Sequence, residues 1–152
     1  MVDTSRSRRW PAYALAVLFL GYAVGKAGYA SQARLGFPGG PVVSAAEQQS
    51  YFLPAATAQW MATVTGVLAA GVALATVTRW GRRVPRPVML VVLAGMVLTV
   101  GAGAAIMAVD GFVGIGIGWQ WYHGAVGVVV IGLLLAMIQS YAAATGGRRA
   151  SR

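Results

Sequence analysis

Val88–Val109, VMLVVLAGMVLTVGAGAAIMAV, runs for 22 residues without one ionisable side chain. At 1.5 Å per residue, a helix of that length crosses the roughly 30 Å hydrocarbon core of a bilayer. Residues 11–30, 55–78 and 121–144 are comparably long and apolar. The chain of 152 residues is 58% hydrophobic and 10% charged, with a mean hydropathy of +0.68, the balance of a protein whose main solvent is lipid. The expected fold is all-α: one integral membrane domain over 1–152, a bundle of four transmembrane helices with a long outer loop between helices 1 and 2.

Charge placement orients this bundle. Ten of the twelve basic residues fall before the first stretch (Arg6, Arg8, Arg9), between the second and third (Arg79, Arg82, Arg83, Arg86) or after the fourth (Arg148, Arg149, Arg152). Four crossings put all three clusters at one end. The positive-inside rule makes that end cytoplasmic, so a multi-pass protein of the cell membrane with both termini inside is expected. A net charge of +9 would suggest nucleic acid in a soluble chain, but topology accounts for it, and contact with the lipid bilayer and its anionic headgroups is the expected partner. An Arg-rich start, an apolar run and Gly28 and Ala30 before Ser31 imitate a signal peptide; Lys26 interrupts the run, and an uncleaved first span is expected.

The sequence has no cysteine, which excludes thiol redox chemistry and Cys-ligated metals. Its single histidine, His123, has no HxxxH or HxH partner, so neither a metal nor any other cofactor is expected. Gly114-Ile115-Gly116-Ile117-Gly118 follows no strand and therefore makes a close-packed turn, not a dinucleotide loop.

Nearly every remaining ionisable or amide group gathers at the other end. Lys26, Arg34, Glu47, Gln59, Asp110, Gln120 and His123 are all placed there, and two cations balance two carboxylates. Tyr22, Lys26 and Tyr29 share one helical face. Ser44 with Glu47 three residues on forms a capping box for a short surface helix over Ser44 to Phe52. Asp110 is open to three readings: a helix end facing water, a salt bridge to Lys26 or Arg34, or a proton donor. In the catalytic reading Asp110, Glu47 and His123 are the acid/base groups; Lys26, Arg34, Tyr22, Tyr29 and Gln59 bind the substrate; Trp60, Trp119 and Tyr122 shape the apolar wall. Gly21 and Gly25 form a GxxxG pair suited to homo- or hetero-oligomer contact. Stripes of small residues (Gln59, Thr63, Gly66, Ala70 and Ala73; Gly95, Thr99, Gly103, Ile106 and Asp110) are expected to face the bundle.

Gly21-Tyr22-Ala23-Val24-Gly25-Lys26-Ala27, Leu35-Gly36-Phe37-Pro38-Gly39 and Trp80-Gly81-Arg82-Arg83-Val84-Pro85-Arg86 resemble small uncharacterised four-span integral membrane proteins of high-GC Gram-positive bacteria. That resemblance supports the topology and implies no activity. The functional expectation is an outer-leaflet polar pocket that binds or transforms a lipophilic small molecule by non-redox acid/base chemistry, such as isoprenoid-type cyclisation or isomerisation. Two alternatives stand beside it: a non-catalytic accessory or assembly subunit of a membrane complex, and an oligomeric small-molecule transporter. Transport is disfavoured because no charge lies near the midplane of the last three spans and no broken helix is expected there.

Overall fold

The computed structural model describes residues 9–116 and 118–146; Arg6, Arg8, Arg148, Arg149 and Arg152 lie outside them. Six α-helices follow in order: α1 Trp10–Ser31, α2 Ala45–Ser50, α3 Ala55–Ala75, α4 Arg86–Met96, α5 Ala102–Val113 and α6 Trp121–Gly146. A π-helical turn, Val97–Gly101, joins α4 to α5 into one apolar span, Arg86–Val113. With α1, α3 and α6 this makes four helices long and apolar enough to cross a membrane.

Local chemistry sets the ends of these helices. Pro11 and Pro87 sit in the first turns of α1 and α4, where a missing N–H forfeits no helical bond. Gly114, at φ +71°, ends α5 in the left-handed conformation, its N–H returning 2.7 Å to Asp110 O. Hydroxyls within the spans satisfy themselves: Thr63 donates to Gln59 O, Thr99 to Gly95 O and Ser140 to Ala136 O, at 2.9, 2.9 and 2.7 Å. A polar side chain is tolerated in hydrocarbon on those terms. The third span winds as a π turn over Val97–Gly101, with Thr99 inside it, and continues unbroken as one helix from Arg86 to Val113.

Packing divides the bundle into two close pairs. α1 lies along α3, and α6 lies along α5. Where backbones touch, small residues face each other: Ala12, Ala16 and Ala23 are buried on α1, and Gly66, Ala70 and Ala73 on α3. The α3 stripe read from the sequence therefore faces inward. The third-span stripe does so only at Asp110. Gly95, Thr99, Gly103 and Ile106 are exposed, while Met89, Leu93, Met96 and Ala104 are buried. Toward the Arg-rich end, Met89, Leu93 and Met96 join Leu133, Leu134 and Met137 in one core. Large side chains fill that space, and small ones are needed only further along, where a Cβ on Gly127 would collide with Ala104 O. Val17, Leu68, Val91, Leu98 and Leu135 point outward, an apolar exterior that suits lipid.

Candidate functional site

The connection from residue 32 to residue 54 folds back over the helix ends through one peptide, Gly36. Lys26 on α1 donates from Nζ to Gly36 O at 2.7 Å, and Gln59 on α3 donates from Nε2 to the same oxygen at 3.2 Å. Tyr29 OH donates to Phe37 O at 3.3 Å, and Gln48 Oε1 accepts from Leu35 N–H at 3.2 Å. A Cβ on Gly36 would run into the Tyr29 ring, so glycine is what lets the carbonyl reach two helices.

Phe37 is the centre of the aromatic packing. Its ring lies 5.7 Å from Tyr22, 5.0 Å edge-on to Trp119 and 6.5 Å from His123. The Lys26 ammonium stands 5.5 Å from the Tyr22 centroid and 5.4 Å from that of Phe37, near enough for a cation–π contribution. His123, 6% exposed, is enclosed further by Trp119, edge-on at 4.9 Å, and by Tyr122, tilted at 4.3 Å. Its Nδ1 accepts the Gln120 N–H at 3.3 Å, which places the proton of the neutral ring on Nε2. A Cβ on Gly39 would sit 3.7 Å from that Nε2, so the Pro-Gly-Gly-Pro turn passes over the imidazole with room for no more than a methyl group.

Asp110, near the end of α5, is 3% exposed. Its Oδ1 accepts the Gly116 N–H at 2.6 Å; its Oδ2 accepts those of Gly118 and Trp119, both at 3.2 Å. The turn after α5 thus wraps the carboxylate in a nest of backbone donors. Glycine makes the wrapping feasible: a Cβ at Gly116 would lie 2.8 Å from the carboxyl carbon, and Gly118 adopts φ +92°. Sequence reasoning saw that Gly-rich turn as packing alone. An aspartate near a helix end, with glycines four, six and eight residues later, was the legible signal.

The structure brings Lys26, Tyr22, Tyr29, Gln59, Trp119 and His123 together around Gly36 and Phe37, with Asp110 joined to them through Trp119. Gly36 and Phe37, the two residues at its centre, were not among the candidate site residues: a backbone carbonyl carries no side-chain signature, and Phe37 is one of many aromatics toward that end of the chain's spans. Glu47, Arg34, Trp60 and Tyr122 are exposed; of these, Tyr122 still meets the cluster through His123. Gly25 of the GxxxG pair is covered from within, since a Cβ there would collide with Pro38, whereas Gly21 faces open space. Gln59, 4% exposed, retains one buried oxygen, Oε1, without a hydrogen-bond donor.

Glu47 caps α2. Its Oε2 accepts from Ser44 N–H at 2.8 Å and Ser44 Oγ at 2.7 Å, while its own N–H donates to Ser44 Oγ at 3.2 Å. These Ser44 bonds, side chain first, hold the Glu47 carboxyl below its ordinary value. A depressed folded-state pKa contributes stability above the unfolded value and loses it as pH falls through the folded one. Acidification through the range below the ordinary glutamate value is therefore expected to fray α2, seen as faster amide exchange at Ser44 and Glu47. Glu47→Gln should flatten that pH dependence; an unchanged titration of exchange in the variant would assign the fraying to another group.

The fold and this cap define a class, a small multi-pass integral membrane protein. Within that class nothing narrows it: no known family model, curated protein or solved structure matches the chain. Among the described residues, no group of three or more His, Cys, Asp or Glu side chains is placed to hold a metal ion.

Proposed function

We propose that the protein is a non-catalytic accessory or assembly subunit of the cell membrane, with its Arg-rich end cytoplasmic and its polar cap facing outward. One observation carries this reading: the groups best suited to acid/base work are engaged in holding the cap together. Asp110 fastens the turn after α5, Glu47 caps α2, His123 Nδ1 takes the Gln120 N–H, and Lys26 fixes Gly36. A general acid or base needs a lone pair or proton within reach of a substrate, and both Asp110 oxygens, Glu47 Oε2, His123 Nδ1 and one Lys26 N–H are committed to the protein's own backbone or to Ser44. The exposed pair Tyr51 and Phe52, rings tilted with centroids 4.7 Å apart, adds an apolar contact on the cap. Small Gram-positive membrane proteins of the kind its motifs resemble are a fitting setting.

A second reading rests on Gln59 Oε1. A buried acceptor without a donor costs about 1–3 kcal/mol, and the hydroxyl or amine of a bound lipophile beside Lys26 would satisfy it. Extraction in mild detergent, followed by mass spectrometry of both polypeptides and small molecules, separates the two. The accessory reading expects a stoichiometric polypeptide partner whose recovery falls when Phe52→Ser is introduced. A stoichiometric lipophile, released by Gln59→Leu and accompanied by no polypeptide, overturns it in favour of ligand binding.

A further inference from the structure

At the Arg-rich end α1, α4, α6 and the segment that follows α3 enclose a cavity of about 480 Å³. Arg9 at the start of α1, Arg82 in the short turn Gly81–Arg83 and Arg86 at the start of α4 line it, with Thr76 and Thr78 after α3 and Tyr141 and Thr145 on α6. Arg86 is half-buried, and its Nε is fully enclosed without a hydrogen-bond acceptor. The described carboxylates, Glu47 and Asp110, belong to the opposite end, and the remaining acidic residue, Asp3, lies outside the described residues.

The electrostatic balance is lopsided. The C-terminal ends of α3 and α6 border this cavity with about half a negative charge each, the N-terminal ends of α1 and α4 offset them with about half a positive charge each, and three guanidiniums remain uncompensated by any described carboxylate. A half-buried guanidinium with no described carboxylate at its end of the bundle is unfavourable in low dielectric, and it is relieved by an anion that accepts several donors at once. The planar donor fork of arginine matches phosphate oxygens, and three arginines lining one cavity, Arg86 half-buried and Arg9 and Arg82 exposed, suit a group with three or four oxygens better than a single carboxylate. The volume also exceeds what a bare ion fills and is of the size that holds a small organic ligand.

We propose that this cavity is a binding site for a phosphate-bearing ligand, gripped by Arg86 from within and by Arg9 and Arg82 at the mouth. Its place at the span ends is the depth of lipid headgroups, so the phosphate belongs either to an anionic phospholipid or to a soluble phosphate compound. The site is separate from the aromatic cap and does not rest on the accessory reading.

The test uses the full chain, lipid-depleted in dodecyl maltoside, and reads thermal midpoint and ligand retention by native mass spectrometry. The probes are dioleoyl phosphatidylglycerol, dioleoyl phosphatidylcholine, and sodium phosphate against sodium chloride at equal ionic strength. Retention and stabilisation by phosphatidylglycerol over phosphatidylcholine, undisturbed by phosphate, support the site with a lipid source. Saturable stabilisation by phosphate that displaces the lipid supports it with a soluble source. Arg86→Gln is expected to weaken binding about tenfold or more, whereas Arg83→Gln, exposed and stacked on Trp80 at 5.0 Å, should leave it unchanged; Arg82→Gln carries the same test if Arg86→Gln fails to fold. Equal loss in Arg83→Gln and the cavity variants, or no preference for phosphatidylglycerol with no effect of phosphate, overturns the proposal.

Discussion

Asp110→Asn is expected to lower stability by about 3 kcal/mol, because the buried carboxylate accepts charge-assisted hydrogen bonds that an amide cannot replace in kind. The bonds from Gly116, Gly118 and Trp119 N–H reach both carboxylate oxygens. Asparagine supplies one acceptor oxygen, and its NH₂ group is set against a backbone donor. The turn between α5 and α6 should loosen, and Trp119, whose ring packs on Phe37 and His123, should loosen with it. A detergent melt gives the loss of stability; amide exchange at Gly116, Gly118 and Trp119 locates it. Unchanged protection of those amides would mean that the turn is held by something other than the carboxylate. The result also bears on function, since a structural aspartate affects partner recovery through stability, while a proton donor would abolish product formation in a protein that still melts normally.

Gly127→Val is expected to cost about 3 kcal/mol, the upper end of the usual overpacking penalty. Even the Cβ alone would collide with Ala104 O and stand 3.1 Å from Ala108 N. These neighbours are backbone of α5 and cannot rotate away, so α5 and α6 must separate and give up the contacts around them. Gly132→Val on the same helix is the matched control: a Cβ there meets nothing within 4 Å. The two variants share composition, helix propensity change and membrane setting. A large drop in the melting midpoint for Gly127→Val beside a near-neutral Gly132→Val is the expected pattern; equal effects would point to propensity instead of packing.

The cap shows where sequence reasoning has purchase. Its polar members were visible because ionisable side chains at membrane depth are expensive and therefore few. Lys26, Gln59, Asp110 and His123 stood out against an apolar background for that reason, and Glu47 with Ser44 displayed a capping box that the structure forms in full. Their partners were hidden. Gly36 O serves both Lys26 and Gln59 from 10 and 23 residues away, a relation between distant segments that no local pattern carries. The third-span stripe shows the same limit. Small residues were assigned to the interior by a rule that governs close helix contacts, yet that span is closely paired only beyond its π turn, and the core before it is filled by Met89, Leu93 and Met96.

By itself the sequence determined the all-helical class and the four spans, because bilayer thickness and the cost of burying charge act on composition and spacing, which are written along the chain. Tertiary structure alone decided what each polar group does. Whether a carboxylate meets water, a cation or three amides depends on which backbone returns to it. That return is fixed by packing between segments far apart in the chain: Phe37 against Trp119 and His123, Gly25 against Pro38, Gly127 against Ala104.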